Sequence, residues 1–164
     1  MNQSNEWMSL SFQNQEIIKK HQNDMPIKLG LLSKELGLIV KRATLPANIS
    51  GEIKEQDGEV IIRVNRHDAQ TRQRYTLAHE IAHFFLHRHL LSTGITDDVL
   101  YRSSQSDEIE AQANRLAADI LMPIDIVKDL MHQHQKLKGE NFYQAIADDL
   151  NVSVTALKIR LSKI

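Results

Sequence analysis

The sequence contains no cysteine, and that absence removes two chemistries at once. Neither a disulfide framework nor a thiolate metal site can form, so any metal must be held by imidazole and carboxylate groups. An excess of either charge is also missing. The formal net charge is −1, which argues against a coat for nucleic acid or for a membrane surface. No apolar run approaches the roughly 20 residues a membrane helix needs. The opening MNQSNEWMSL lacks the basic and apolar regions of a secretory signal. Together these absences predict a cytoplasmic protein with no membrane association. At 164 residues the chain can bury a core as a single domain.

The patterning predicts an α+β fold, with a small antiparallel sheet early and helices after it. Residues 1–11 are polar and unperiodic and are expected to be loosely ordered. The domain proper is expected over 12–135, and a helical tail over 136–164 is expected to pack on it. A short helix suits Phe12–His21. Pro26 opens a second, with Leu29, Leu32 and Leu36 on one face and Gly37 as its stop. Leu38-Ile39-Val40 reads as a buried strand. SGEIKEQDGEVIIRVN reads as a hairpin turning at Asp57-Gly58. From Asp68 the period becomes helical, and a further helix is expected over about Gln105–Leu121, ended by Met122-Pro123.

The stretch RYTLAHEIAHFFLHRH carries the chemistry. His79 and His83 stand four residues apart, about 400° of helix, so their rings lie one above the other on one face. Both can then reach one tetrahedral Zn²⁺. Glu80, about 100° round from His79, can address a water beside the metal as general base and return the proton to the leaving amine. Apolar neighbours Leu77, Ile81, Phe84 and Phe85 place this motif in a packed helix rather than on a solvated face.

A catalytic zinc site needs a third protein ligand. His87 continues the four-residue spacing, but one turn further along a straight helix, too far to converge. His89 stands at the third-histidine position of the pattern H-E-x-x-H-x-x-G-x-x-H, whose glycine turns the chain back; here that glycine is Leu86. The third candidate is Glu110, in DEIEAQANRLAADILMP, with Glu108 as a fallback. Small residues Ala111, Ala113, Ala117 and Ala118 would let this helix lie close to the first. Asn114, one turn beyond Glu110, could hold the back of a ligand imidazole. Beside the histidine helix, Glu110 is the best third ligand.

With those motifs in order, the chain resembles the ImmA/IrrE family of zinc-dependent metallopeptidases. PIKLGLLSKELGLIVKRATLPANISGEI is similar to the family's opening helix, strand and Ser-Gly turn. RQRYTLAHEIAHFFLH is similar to its active helix, and EAQANRLAADILMP to its second signature helix. The resemblance covers about residues 26–125. It implies zinc on His79, His83 and Glu110, with Glu80 as the catalytic glutamate. Gln112 stands where many members carry a second glutamate, and Leu116 where phenylalanine is usual. The resemblance also implies a protein substrate, an XRE-type helix-turn-helix repressor of a mobile element, phage or stress response, which the enzyme cuts or otherwise disables.

Three further readings remain. Transition-state donors could come from Tyr101 or His87, while Tyr75 more simply packs near the metal. YQAIADDLNVSVTALKIRL resembles half of a helix-turn-helix, with Lys158, Arg160 and Lys163 available for phosphates. Asp148 and Asp149 oppose that, so direct DNA binding is the lesser reading. The rival to a peptidase is a regulatory protein that keeps the zinc site and acts by binding a repressor or DNA.

Overall fold

The structure, a computed structural model, describes residues 3–97 and 106–163. In chain order the elements are α1 (Asn5–Ser9), α2 (Phe12–Gln22), α3 (Leu29–Glu35), β1 (Leu38–Ala43), β2 (Gly51–Gln56) and β3 (Glu59–Asn65). They continue with α4 (Gln70–Leu86), β4 (Ile95–Asp97), α5 (Asp107–Leu121), α6 (Ile124–Gln133), α7 (Glu140–Leu150) and α8 (Val154–Ser162). Serines start four of the helices. Ser4, Ser11, Ser106 and Ser153 each accept, on the side-chain oxygen, the backbone N–H three residues on. Each removes one orphan donor of a first turn.

The fold class is the expected α+β, but the sheet is mixed, in the order β1-β3-β2-β4. β2 and β3 form the expected antiparallel hairpin. Its turn residues Asp57 and Gly58 both take positive φ, 55° and 79°, as a two-residue hairpin turn requires. β4 adds antiparallel to β2, whereas β1 lies parallel to β3. The reversal between β1 and β2 is held by Asn65, whose buried amide donates to the carbonyls of Leu45, Pro46 and Ile49. Placed outermost, β1 buries only Leu38 and leaves Val40 36% exposed, so it is an edge strand rather than the buried one its apolar start suggests.

α4 lies across β2 and β3 with α5 against its other side. That sandwich explains why α4 buries Thr76 to His83 almost without interruption. Ala78 and Ala82 on α4, and Ala113 and Ala117 on α5, are fully buried, and their small side chains let the two helices approach closely. Ile53 and Ile62 fill the sheet side of the core, and Leu116 and Ile120 the helix side. The layers thus press one face of α4 toward α5 and β4.

The N-terminal residues are not loose. Trp7 is 2% exposed within the core, and Ser4 bonds Asp119 through both its N–H and its hydroxyl. The Glu6 carboxylate receives Arg115 Nε at 3.0 Å and Nη2 at 2.7 Å. One large apolar side chain and two paired charges are enough to dock a five-residue helix that composition alone marks as polar. At the other end, Ile146, Leu150 and Leu157 join the same core, and Asn151, in the left-handed region, ends α7. Lys158 is bonded to Glu140, and Arg160 to Asp119 and the Met122 carbonyl. Two of the three cations considered for phosphate contact are therefore engaged within the fold.

Candidate metal centre

Four side chains from three elements converge: His79 and His83 of α4, Asp97 of β4 and Glu110 of α5. The two Nε2 atoms stand 3.1 Å apart. Glu110 Oε2 is 2.9 Å from His79 Nε2, and its Oε1 is 3.3 Å from His83 Nε2. Asp97 Oδ2 is 3.2 Å and 3.1 Å from the same two nitrogens. Ligand atoms around a tetrahedral zinc with bonds of about 2.0–2.1 Å are separated by about 3.3 Å. The cluster has those dimensions.

The tautomers follow from the groups behind the rings. Asn114 Oδ1 accepts from His79 Nδ1 at 2.8 Å and from the Tyr75 hydroxyl at 3.2 Å. With its proton on Nδ1, a neutral His79 turns an Nε2 lone pair into the cluster. His83 reaches the same state through a longer relay. The Gln112 side-chain oxygen accepts from His87 Nε2 at 2.8 Å, which leaves His87 Nδ1 to accept from His83 Nδ1 at 2.8 Å. Burial lowers the His87 pKa below its ordinary value, which favours the neutral ring this relay needs. Each of these two imidazoles is thus oriented from behind, as metal-binding histidines usually are.

Electrostatically the cluster calls for a cation. Two imidazole nitrogens face the Asp97 and Glu110 carboxylates with Glu80 buried beside them, and five oxygens (both of Glu80, both of Asp97 and Glu110 Oε1) are buried with no donor other than those two imidazoles. Buried acceptors left without a donor are costly. A divalent ion with nitrogen and oxygen ligands fits this donor set. In its place a proton can serve. Burial opposes charge on His79, but hydrogen bonds to Asp97 and Glu110 outweigh it and raise its pKa to about 9. Burial likewise works against ionised Asp97 and Glu110, yet both imidazoles hold the two carboxyls below their ordinary values.

Glu80 is fully buried beside this set, and its pKa is raised well above the usual carboxylate range, first by burial and then by the charge of Asp97. Gly51 makes the place for it. A Cβ there would lie 2.5 Å from Thr76 Cγ2, 3.1 Å from the Arg63 carbonyl and 3.1 Å from Glu80 Oε1. No side chain fits between β2 and α4 at that point.

The sequence-predicted residues are distributed as follows. His79, His83 and Glu110 meet, and Asn114 stands behind His79 as expected. His87 does not face the reacting side; its place behind His83 replaces the transition-state role considered for it. His89 is exposed on a short 3-10 turn, because the chain leaves α4 at Leu86 without turning back. Glu108 is exposed and paired with Arg115 at 3.1 Å, so it cannot stand in for Glu110. Tyr101 lies outside the described residues. Sequence reasoning missed Asp97, which sits in a three-residue strand with no local signal, and the part Gln112 plays in the relay.

A family model described as IrrE N-terminal-like domain, Peptidase_M78, matches residues 34–162, well over half of the chain. The comparison with curated proteins found no match. Among solved structures, a Mycobacterium tuberculosis transcriptional regulator is similar, with a TM-score of 0.58 and 15% sequence identity. The match covers 91% of this chain and 46% of that one, so the chain spans about half the length of the structure it matches. At that identity the likeness is one of fold.

Proposed function

Because the chain belongs to the IrrE N-terminal-like, Peptidase_M78 family, we propose that it is a zinc-dependent endopeptidase acting on a helix-turn-helix repressor. The observation that carries the reading is Glu80. A buried carboxyl with no hydrogen-bond donor stands one residue along α4 from His79, close enough to Asp97 and Glu110 to feel their charge. His79, His83 and Glu110 would hold the ion, with Asn114 and the His87–Gln112 pair fixing the two rings.

When bound, zinc supplies a Lewis acid that polarises the scissile carbonyl and acidifies water. The rest is done by the protein. Glu80 takes the proton from the attacking water and delivers it to the leaving amine as the C–N bond breaks. Its burial favours the protonated form at the moment of delivery, and a nearby dication favours the ionised form needed to begin.

The repressor substrate rests on the family resemblance, with support from a structural neighbour that is itself a transcriptional regulator. No described helix is long and apolar enough to cross a membrane. The test is co-expression with a candidate XRE-type helix-turn-helix repressor, comparing the wild type with Glu80→Gln. The peptidase reading expects the repressor to be cut only by the wild type, with a loss of about 10²–10⁴-fold in the variant and zinc retained by both. Equal relief of repression by both proteins would instead favour action by contact alone.

A further inference from the structure

Zinc peptidase centres keep three protein ligands and leave the fourth position open. Here a fourth donor is already in place. Asp97 Oδ2 lies as near to both histidine nitrogens as Glu110 does, and Asp97 is fully buried. It also stands on the side where Glu80 works. Asp97 is the strand partner of Gly51, the glycine against which Glu80 Oε1 rests, and the Asp97 and Glu80 carboxyls bear directly on each other. The Asp97 carboxylate therefore stands among the candidate ligand atoms on the flank where Glu80 lies.

We propose that Asp97 is a fourth protein ligand that closes the metal centre and keeps the peptidase latent until its carboxylate is withdrawn. The inference rests on the peptidase reading above. It accounts for a difference in how the ligands are supported. His79 is held from behind by Asn114 and His83 by the His87–Gln112 relay. Neither oxygen of Asp97 has a hydrogen-bond partner of that kind; the two ligand imidazoles alone hold it. A ligand without such support is the one that exchanges most easily.

The strand that carries Asp97 is short. β4 has three residues and pairs, among the described residues, with β2 alone, from Gly51↔Asp97 to Ile53↔Ile95. Ser50 N–H also bonds to the Asp97 carbonyl at 2.9 Å. Opening is then a ligand exchange. The bond from the metal to the Asp97 carboxylate breaks, one from the metal to a water forms, and no electron or covalent bond of the protein is transferred. A substrate segment that displaced β4 or repelled the Asp97 carboxylate would trigger the exchange, so the site would open to its target and stay shut to other chains.

The test uses full-length protein loaded with Co²⁺ or Zn²⁺, and acetohydroxamate as a small probe that needs an open position on the metal. Asp97→Ala is compared with wild type, and Asp97→Asn serves where the alanine variant loses its helical circular dichroism. The closed centre predicts that acetohydroxamate changes the Co²⁺ spectrum of the variant at a concentration about tenfold or more below that needed for wild type. It also predicts that the variant holds zinc about 10–100-fold more weakly in chelator competition. Equal zinc affinity and equal hydroxamate response in the two proteins would overturn the inference and leave the peptidase reading intact. A variant that retains no metal at all would overturn it too, by making Asp97 a permanent ligand. A folded wild type that takes up neither ion would overturn both.

Discussion

His83 and His87 face each other through their Nδ1 atoms at 2.8 Å, one donating and the other accepting. The direction is imposed from the far end, where the Gln112 carboxamide oxygen takes the His87 Nε2 proton. A residue outside the cluster therefore decides which nitrogen of His83 turns into it. His87→Phe keeps the bulk and removes the acceptor. Zinc affinity measured by chelator competition should fall about 10–100-fold with the helical circular dichroism unchanged. Gln112→Glu keeps an acceptor and should hold affinity near wild type, while Gln112→Leu should fall with His87→Phe.

The proton that substitutes for a metal gives a second prediction, with a definite sign. The folded-state pKa of His79 is raised from 6.5 to about 9. Its contribution to the stability of metal-free protein is therefore fully present below about pH 6.5 and is lost as pH rises toward 9. Denaturant melts of chelator-treated protein should show that decline. Zinc must displace the same proton, so zinc affinity should rise about tenfold per pH unit between about pH 6.5 and 8. An affinity independent of pH across that window would contradict a protonated His79 in the metal-free state.

Gly51 offers a test of the close approach beneath Glu80. Gly51→Ala puts a methyl 2.5 Å from Thr76 Cγ2, so the strand or the helix must move. The expected cost is about 1–3 kcal/mol, read as a lowered denaturation midpoint. Because Glu80 Oε1 is among the atoms met, peptidase activity should fall in the variant even where enough stability remains to fold.

The docked N-terminus is testable in the same way. Trp7 is 2% exposed, and Trp7→Ala should destabilise the protein by about 3–5 kcal/mol. A loosely ordered segment would tolerate the change with almost no effect, so the unfolding midpoint separates the two descriptions cleanly.

The parts of the site that were legible in the sequence are those written in helical periodicity. His79, Glu80 and His83 share one turn, and Glu110 with Asn114 repeats the spacing on a second helix whose alanines announce close packing. Asp97 was not legible, because nothing in the run Ile95-Thr96-Asp97 separates a ligand from a loop acid. Its role exists only once β4 pairs with β2 and carries the side chain over α4. His87 was considered as a transition-state donor, and the structure places it behind His83. Four residues further along a helix is too far for the ion, and near enough for the back of the ring before it. β1 was misjudged for a related reason: three apolar residues say strand, but strand order decides whether a strand is covered.

Asp119 lies on α5 beyond Glu110, 3% exposed, with Ser4 on one carboxylate oxygen and Arg160 on the other. In mechanical terms, the first and last described helices are fastened to a single rivet on the rod that carries Glu110. Trimming either flank accordingly removes a partner of the helix that carries Glu110 as well as part of the core.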